Sequence, residues 1–136
     1  MDIDYALLAD HAEVVSGKLY LMGGGWDTRY VKETPVQVRL AVAIGVRVGW
    51  DETNRPTPVR IAVEDDDGES LVRAEASVNV GRPPHLAPGS TQLTQFALTL
   101  PVTLAKHGGY RVLITAGEGP GAVERILPFR AAPPRP

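Results

Sequence analysis

The sequence predicts an all-β fold, an antiparallel β-sandwich of about eight strands. Three observations predict it. Apolar and polar residues alternate with a period of two along most of the chain, the pattern of strands with one buried face. The 14 glycines and 12 prolines fall between these runs and read as turns. No segment carries a convincing amphipathic-helix period. Short strands at this spacing suit a sandwich, with a small β-barrel as the alternative, and the pattern Gly109-Tyr110-x-Val112-x-Ile114 followed by a hairpin to Phe129 resembles the last two strands of an immunoglobulin-like or C2-like sandwich.

The elements follow in order. Asp4 to Ala9 and Leu19 to Met22 read as strands, and Asp10 to Lys18 between them as a turn or a short helix. Val36 to Val48 gives the clearest alternation. Val36, Val38, Leu40, Val42, Ile44, Val46 and Val48 point one way, and Gln37, Arg39, Ala41, Ala43, Gly45 and Arg47 the other. This run is long for a strand, so a bend or bulge is expected near Gly45. Val59, Ile61 and Val63 alternate next, and Asp65-Asp66-Asp67-Gly68 turns them into a return strand from Val72 to Val80. The run from Phe96 to Leu104 contains Pro101, which has no N–H to give a ladder and marks an edge strand or a break. Tyr110, Val112 and Ile114 form a further strand, and Glu118-Gly119-Pro120-Gly121 turns it back into Val123 to Phe129. Residues 1–130 read as a single sandwich domain, and residues 131–136 as a proline-rich flexible tail.

Composition bounds the function. A chain of 136 residues buries enough surface to fold without staples. It has no cysteine, which rules out disulfides, thiolate metal sites and a cysteine nucleophile and suits a reducing compartment. The net charge is −2, with both signs well mixed, and aromatic residues are few, so no nucleic-acid surface is expected. The N-terminal residues are acidic and resemble no signal peptide, and no apolar run approaches a membrane span. A cytoplasmic protein with no membrane partner and no cofactor is the expectation.

The segment Gly17-Lys18-Leu19-Tyr20-Leu21-Met22-Gly23-Gly24-Gly25-Trp26-Asp27 stands apart from this strand pattern. Three successive glycines each cost about 1 kcal/mol against alanine in a regular element, so the backbone there needs a conformation or an approach that only glycine permits. A phosphate-cradling loop would open a helix, and no helix signal follows Trp26. A bend that seats Trp26 is the better reading. Trp26-Asp27 and Trp50-Asp51 form two aromatic–acid pairs, and together they are the candidate ligand-binding residues. They line one pocket only if both pairs occupy the same end of the fold. The alternative for each Trp is a cover over the end of the core.

Other candidates are weaker. Asp10-His11 lacks a nucleophile at any telling spacing, Ser16 being the nearest, and His85 and His107 are isolated. No catalytic set and no metal site is therefore assigned. Asp65, Asp66 and Asp67 suggest a calcium loop but read better as a solvated turn.

The segment GKLYLMGGGWD, preceded by DYALLADHAE and followed by WDETNRP and the strand Val59 to Val63, resembles an uncharacterised bacterial family, a domain of unknown function with a GKLYxxGGGWD motif. The resemblance covers most of residues 4 to 68. It implies a small, mostly β protein and carries no assigned activity or catalytic residues.

Three functional readings follow. The first is a non-enzymatic protein that acts by protein–protein contact or self-assembly, as a homo-oligomer. Ala41, Ala43 and Gly45 on the second face of the long strand are small enough to accept another sheet or subunit. The second is a small-ligand or carbohydrate binder that uses Trp26, Asp27, Trp50 and Asp51. The third is a hydrolase built on His11 with Asp10 or Asp27.

Overall fold

A computed structural model describes residues 1–135. Nine strands run in the order β1 (Asp2–Val15), β2 (Lys18–Gly24), β3 (Thr28–Tyr30), β4 (Val36–Val48), β5 (Thr57–Asp65), β6 (Ser70–Val78), β7 (Gln92–Leu104), β8 (Gly108–Ala116) and β9 (Val123–Ala132). They form two sheets packed face to face. The first has the order β2-β1-β4-β7, and the second β3-β9-β8-β5-β6. The sheets do not close on one another, so the architecture is a sandwich and not a barrel.

The alternation read from the sequence sets the core. Leu40, Val42, Ile44 and Val46 of β4 are fully buried, as are Val59 and Val63 of β5 and Val112 and Ile114 of β8. These rows face one another across the two sheets. Pro101 lies in β7, opposite Arg39, on the edge strand of its sheet. An edge strand can present the missing N–H to solvent, so β7 continues unbroken to Leu104. The Asp65–Gly68 turn closes β5 onto β6. The Gly68 N–H donates to the Asp65 carbonyl at 3.1 Å, and the Asp65 carboxylate accepts from the N–H groups of Asp67 and Glu69.

Four features differ from the sequence reading. First, residues 10–15 are neither turn nor helix. β1 continues through them to Val15, and a two-residue turn at Ser16 and Gly17, both with positive φ, leads into β2. Second, the irregularity expected near Gly45 falls on the neighbouring strand. β4 keeps one register with β7 throughout, while β1 shifts register between Ile3 and Tyr5, opposite Gly45 and Val46. Third, β3 adds a ninth strand of three residues, paired parallel to β9. Fourth, β9 runs to Ala132, with Ala131 buried, so the strand takes up the first two residues of the segment read as tail.

The most consequential feature is what β1 does after Ala9. Up to Ala9 it pairs with β4, and beyond Ala9 with β2. The β1–β2 ribbon folds back over the outer face of its own sheet. Its tip reaches β7, where the Gln95 side-chain amide donates to the Gly17 carbonyl at 2.8 Å. Ala12 of the ribbon joins Ala9, Ala41 and Ala43 in a second, small core, and Leu19, Leu21, Tyr5 and Ala97 pack around it. Ala41 and Ala43 are completely buried within the single chain. The small residues that the sequence offers to another subunit are therefore covered by the chain's own ribbon.

Gly45 has a related task. A Cβ there would strike the Tyr5 ring. The Tyr5 hydroxyl donates to Gln95 Oε1 at 2.7 Å, which links the ring on Gly45 to the residue that holds the ribbon tip. Burial, and after it the Asp4 carboxylate, push the Tyr5 phenol above its ordinary pKa, so the hydroxyl keeps its proton.

Two outcomes follow. Ala43→Leu overfills the space beneath the ribbon and is expected to lower unfolding free energy by about 1–3 kcal/mol in urea denaturation. Gln95→Ala removes both side-chain hydrogen bonds at the tip and is expected to cost about 1–2 kcal/mol in the same measurement, with the sandwich otherwise intact by circular dichroism.

Candidate functional site

The glycine–tryptophan segment is where the ribbon rejoins the sandwich. Gly24 pairs with Ala9 and Met22 with His11, so Gly23 and Asp10 sit together at the ribbon's bend. Gly23 has φ +62° and a Cβ on it would overlap the Asp10 carboxylate; Gly25 has φ +80°. A left-handed backbone at both positions suits glycine and disfavours other residues. The Gly25 N–H then donates to the Leu8 carbonyl at 2.9 Å, and the chain leaves the first sheet. It crosses to the second, where the Arg130 N–H donates to the Asp27 carbonyl at 2.8 Å and β3 begins. The three glycines thus serve a bend of two paired strands followed by a change of sheet.

Trp26 lies at this crossing and packs against the main core. Its ring meets Phe129 edge-on at 6.3 Å, and Phe129 stacks on Tyr110 at 5.4 Å. The Arg29 guanidinium sits 5.9 Å from the Trp26 centroid. The indole N–H is buried and has no protein acceptor among the described residues. Asp27 is exposed and accepts from the Thr28 hydroxyl at 3.2 Å. It lines a cavity of about 430 Å³ together with Thr28, Asp66, Tyr110, Phe129 and Arg130. Asp66 reaches this cavity from the acidic turn, where its carboxylate accepts from the Gly109 N–H at 3.2 Å.

Trp50 opens a short 3-10 turn between β4 and β5. The Arg82 guanidinium lies 3.5 Å from its ring centroid and donates to the Trp50 carbonyl and the Thr53 hydroxyl. Thr53 in turn donates to the Trp50 carbonyl at 3.0 Å. Beside it the Glu52 carboxylate accepts from the Met1 ammonium and from the Gly49 N–H. The ammonium, more than the Gly49 N–H, holds the Glu52 carboxyl below its ordinary pKa. Trp50 is therefore held under the Arg82 guanidinium from the β6–β7 connection, and its indole N–H is buried with no protein acceptor among the described residues. Asp51 beside it is exposed.

The two aromatic–acid pairs lie at opposite ends of the fold. Trp26 packs on Phe129, which pairs with Tyr110 near the start of β8. Trp50 precedes β5, whose first residues pair with the end of β8: Val59 lies opposite Ala116, and the Gly117 N–H donates to the Pro58 carbonyl. Six residues of strand separate Tyr110 from Ala116, roughly 20 Å. A single pocket lined by Trp26, Asp27, Trp50 and Asp51 does not form. The physical reason is topological: β3 pairs with the C-terminal end of β9, level with the start of β8, whereas β5 begins level with the end of β8.

His11 is exposed on the outer face of the ribbon, opposite Met22. Asp10, one residue away, turns to the other face against Gly23. Strand alternation keeps this adjacent pair apart, and Ser16 lies in the turn at the far end of the ribbon.

The residues that sequence reasoning left out are Val15, Tyr20 and Met22. Ribbon alternation turns Ala12, Leu19 and Leu21 inward, so His11, Glu13, Val15, Lys18, Tyr20 and Met22 face outward. Tyr20 is 51% exposed, Met22 70% and Val15 48%. The Ser16-Gly17 dipeptide between two alternating runs was the available signal for this hairpin.

No helix among the described residues is long and apolar enough to cross a membrane. No curated protein matches the chain. One family profile does, over residues 4–127, which span the bent ribbon, both aromatic–acid pairs and the strands through the first half of β9. The chain belongs to that family, a family of unknown function designated DUF6941.

Proposed function

We propose that this protein is a non-enzymatic β-sandwich that acts through protein–protein contact and self-associates through the ribbon side of its first sheet. One observation carries the reading. Among the described residues seven large apolar side chains are exposed, and five of them, Leu7, Val15, Tyr20, Met22 and Leu93, lie on the ribbon or beside it on the same sheet. Leu7 and Leu93 share the outward face with Ala43 and Arg47, their register partners on β4. Apolar side chains gathered on one side of a small domain favour contact with a protein surface over water. The opposite outer face is different in kind. There Arg60 pairs with Glu75 at 3.2 Å and Glu118 at 3.1 Å, and Arg111 with Glu64 at 2.8 Å, a charged surface suited to solvent. A cytoplasmic location completes the reading, and a chain without cysteine suits it.

A second reading rests on the cavity beside Trp26. It is a small-ligand site lined by the Asp27 and Asp66 carboxylates with the Arg130 side chain, Tyr110 and Phe129, so the two carboxylates suit a ligand that carries an amine. This version uses Asp27 without Trp50 or Asp51.

Light scattering at high micromolar concentration tests the first reading. The wild-type protein is expected to exceed the mass of one chain, and Tyr20→Ser/Met22→Ser to return to it with an unchanged melting temperature. Ile126→Ser, on the other outer face, is expected to leave the assembly intact. A wild type that stays at the mass of one chain contradicts the reading. For the second, a small-amine fragment panel followed by NMR is expected to shift Thr28 and Gly109 amides saturably in the wild type and not in Asp27→Asn. Equal shifts in both proteins refute it.

A further inference from the structure

We infer that the free edge of β6 takes up an extended segment of another protein as an added antiparallel strand, and that this segment carries a basic, a large apolar and an acidic residue in that order. The site goes beyond the ribbon contact proposed above and does not depend on it.

The backbone provides the first argument. β6 is the last strand of the second sheet. Two hydrogen bonds fix the direction of its groups. The Pro58 carbonyl accepts from the Gly117 N–H at 2.9 Å, and the Asp65 N–H donates to the Glu69 carbonyl at 3.1 Å. Bonding direction alternates from residue to residue along an antiparallel strand, so Pro58, Arg60 and Ala62 bond towards β8, and Val59, Ile61 and Val63 towards β6. The β6 partners of those three are Ala76, Ala74 and Val72. Arg73, Glu75 and Ser77 therefore direct N–H and C=O away from the sheet, and no backbone group meets them among the described residues. An added strand completes such a row.

The outer side chains set the charge order. Arg73 and Glu75 are exposed on the outer face, on either side of Ala74. Glu75 meets Arg60 at 3.2 Å, whereas Arg73 donates to the Ser70 hydroxyl at 3.0 Å and has no ion-pair partner among the described residues. An antiparallel strand centred opposite Ala74 exchanges hydrogen bonds with both Arg73 and Glu75 and lays its own side chains beside theirs. Cross-strand pairing then asks for a base opposite Glu75 and, two residues on, an acid opposite Arg73.

The inner side chains choose between partners. Ala74 points inward, towards β7, the edge strand of the first sheet. This side of the sandwich is closed only by half-buried side chains, among them Val72, Ala74, Phe96 and Leu98. The residue between the base and the acid falls opposite Ala74, where a large apolar side chain covers the seam. A second copy of β6 offers the same charge order as Arg73-Ala74-Glu75, but it sets alanine against alanine and leaves the seam open. The seam therefore favours a different protein over a second copy.

A short peptide with Val-Lys-Leu-Glu-Val at its centre is the probe. On titration into the wild-type protein, amide exchange followed by NMR is expected to slow saturably at Arg73, Glu75 and Ser77. Glutamine in place of both peptide charges is expected to weaken binding about fivefold, and alanine in place of the peptide leucine about tenfold. The reversed peptide, Val-Glu-Leu-Lys-Val, is expected to bind wild type no better than the glutamine peptide, and to be the tighter of the two charged peptides on Arg73→Glu/Glu75→Arg. The wild-type titrations decide the question even where that variant fails to fold. Absence of saturable binding, or binding that leaves those three amides unchanged, overturns strand addition. Equal affinity of wild type for the two charged peptides overturns the charge order. Peptide-free Tyr20→Ser/Met22→Ser protein that still dimerises, and stops doing so when Arg73→Glu is added, overturns the choice of partner in favour of a second copy.

Discussion

The structure depends on one packing contact, the seating of the β1–β2 ribbon on a face made of alanine and glycine. Ala9, Ala41 and Ala43 leave room for Ala12, Leu19 and Leu21 to approach closely, and Gly45 leaves room for the Tyr5 ring. Any larger residue in that row would hold the ribbon away from the sheet. Complete burial of a leucine is worth about 1.5–3 kcal/mol, and Leu19 and Leu21, which are half buried, gain part of that. The Gln95 link from Tyr5 to Gly17 adds direction to what is otherwise a greasy contact. The glycines at the bend are the backbone counterpart of the same contact. Without positive φ at Gly23 and Gly25 the two strands cannot turn back together and then part.

This contact makes the two outer faces unlike. The first sheet has its outer face covered by a third layer, and that layer presents Val15, Tyr20 and Met22 to the outside. The second sheet presents paired charges on either side of a row formed by Ala62, Leu113 and Ile126. Exposed ion pairs contribute about 0–1 kcal/mol each, so their value lies more in keeping that face in water than in holding the fold.

The sheets were largely legible in the sequence, and the ribbon was not. β5, β8 and β9 follow the period-two pattern because each buries one face in a common core, and β4 adds to its core row a second face buried under the ribbon. Pro101 pointed correctly to an edge. Ala12 alternates with His11 and Glu13 in the same way, yet the segment is polar enough to resemble a loop, because Ala12 meets only a shallow second core. β3 has three residues and exists through its pairing with β9, so nothing local marks it. The row Ala41-Ala43-Gly45 was read as a docking face for another subunit. Alternation reveals that a face is small and unsuited to water, but it does not say which part of which chain covers it. Similarly, the two Trp-Asp pairs look alike in sequence. Only the topology separates them to opposite ends, one at a change of sheet and the other under the Arg82 clamp.

The central claim is that the alanine face is covered by the ribbon of the same chain. Nuclear Overhauser measurements on methyl-labelled protein test it most directly. The account predicts contacts from the Leu19 and Leu21 methyls to those of Ala41 and Ala43 in uniformly labelled protein, and their absence from an isotope-filtered spectrum of mixed labelled and unlabelled chains. Appearance of those contacts in the filtered spectrum would contradict it, because the ribbon on each alanine face would then come from another copy.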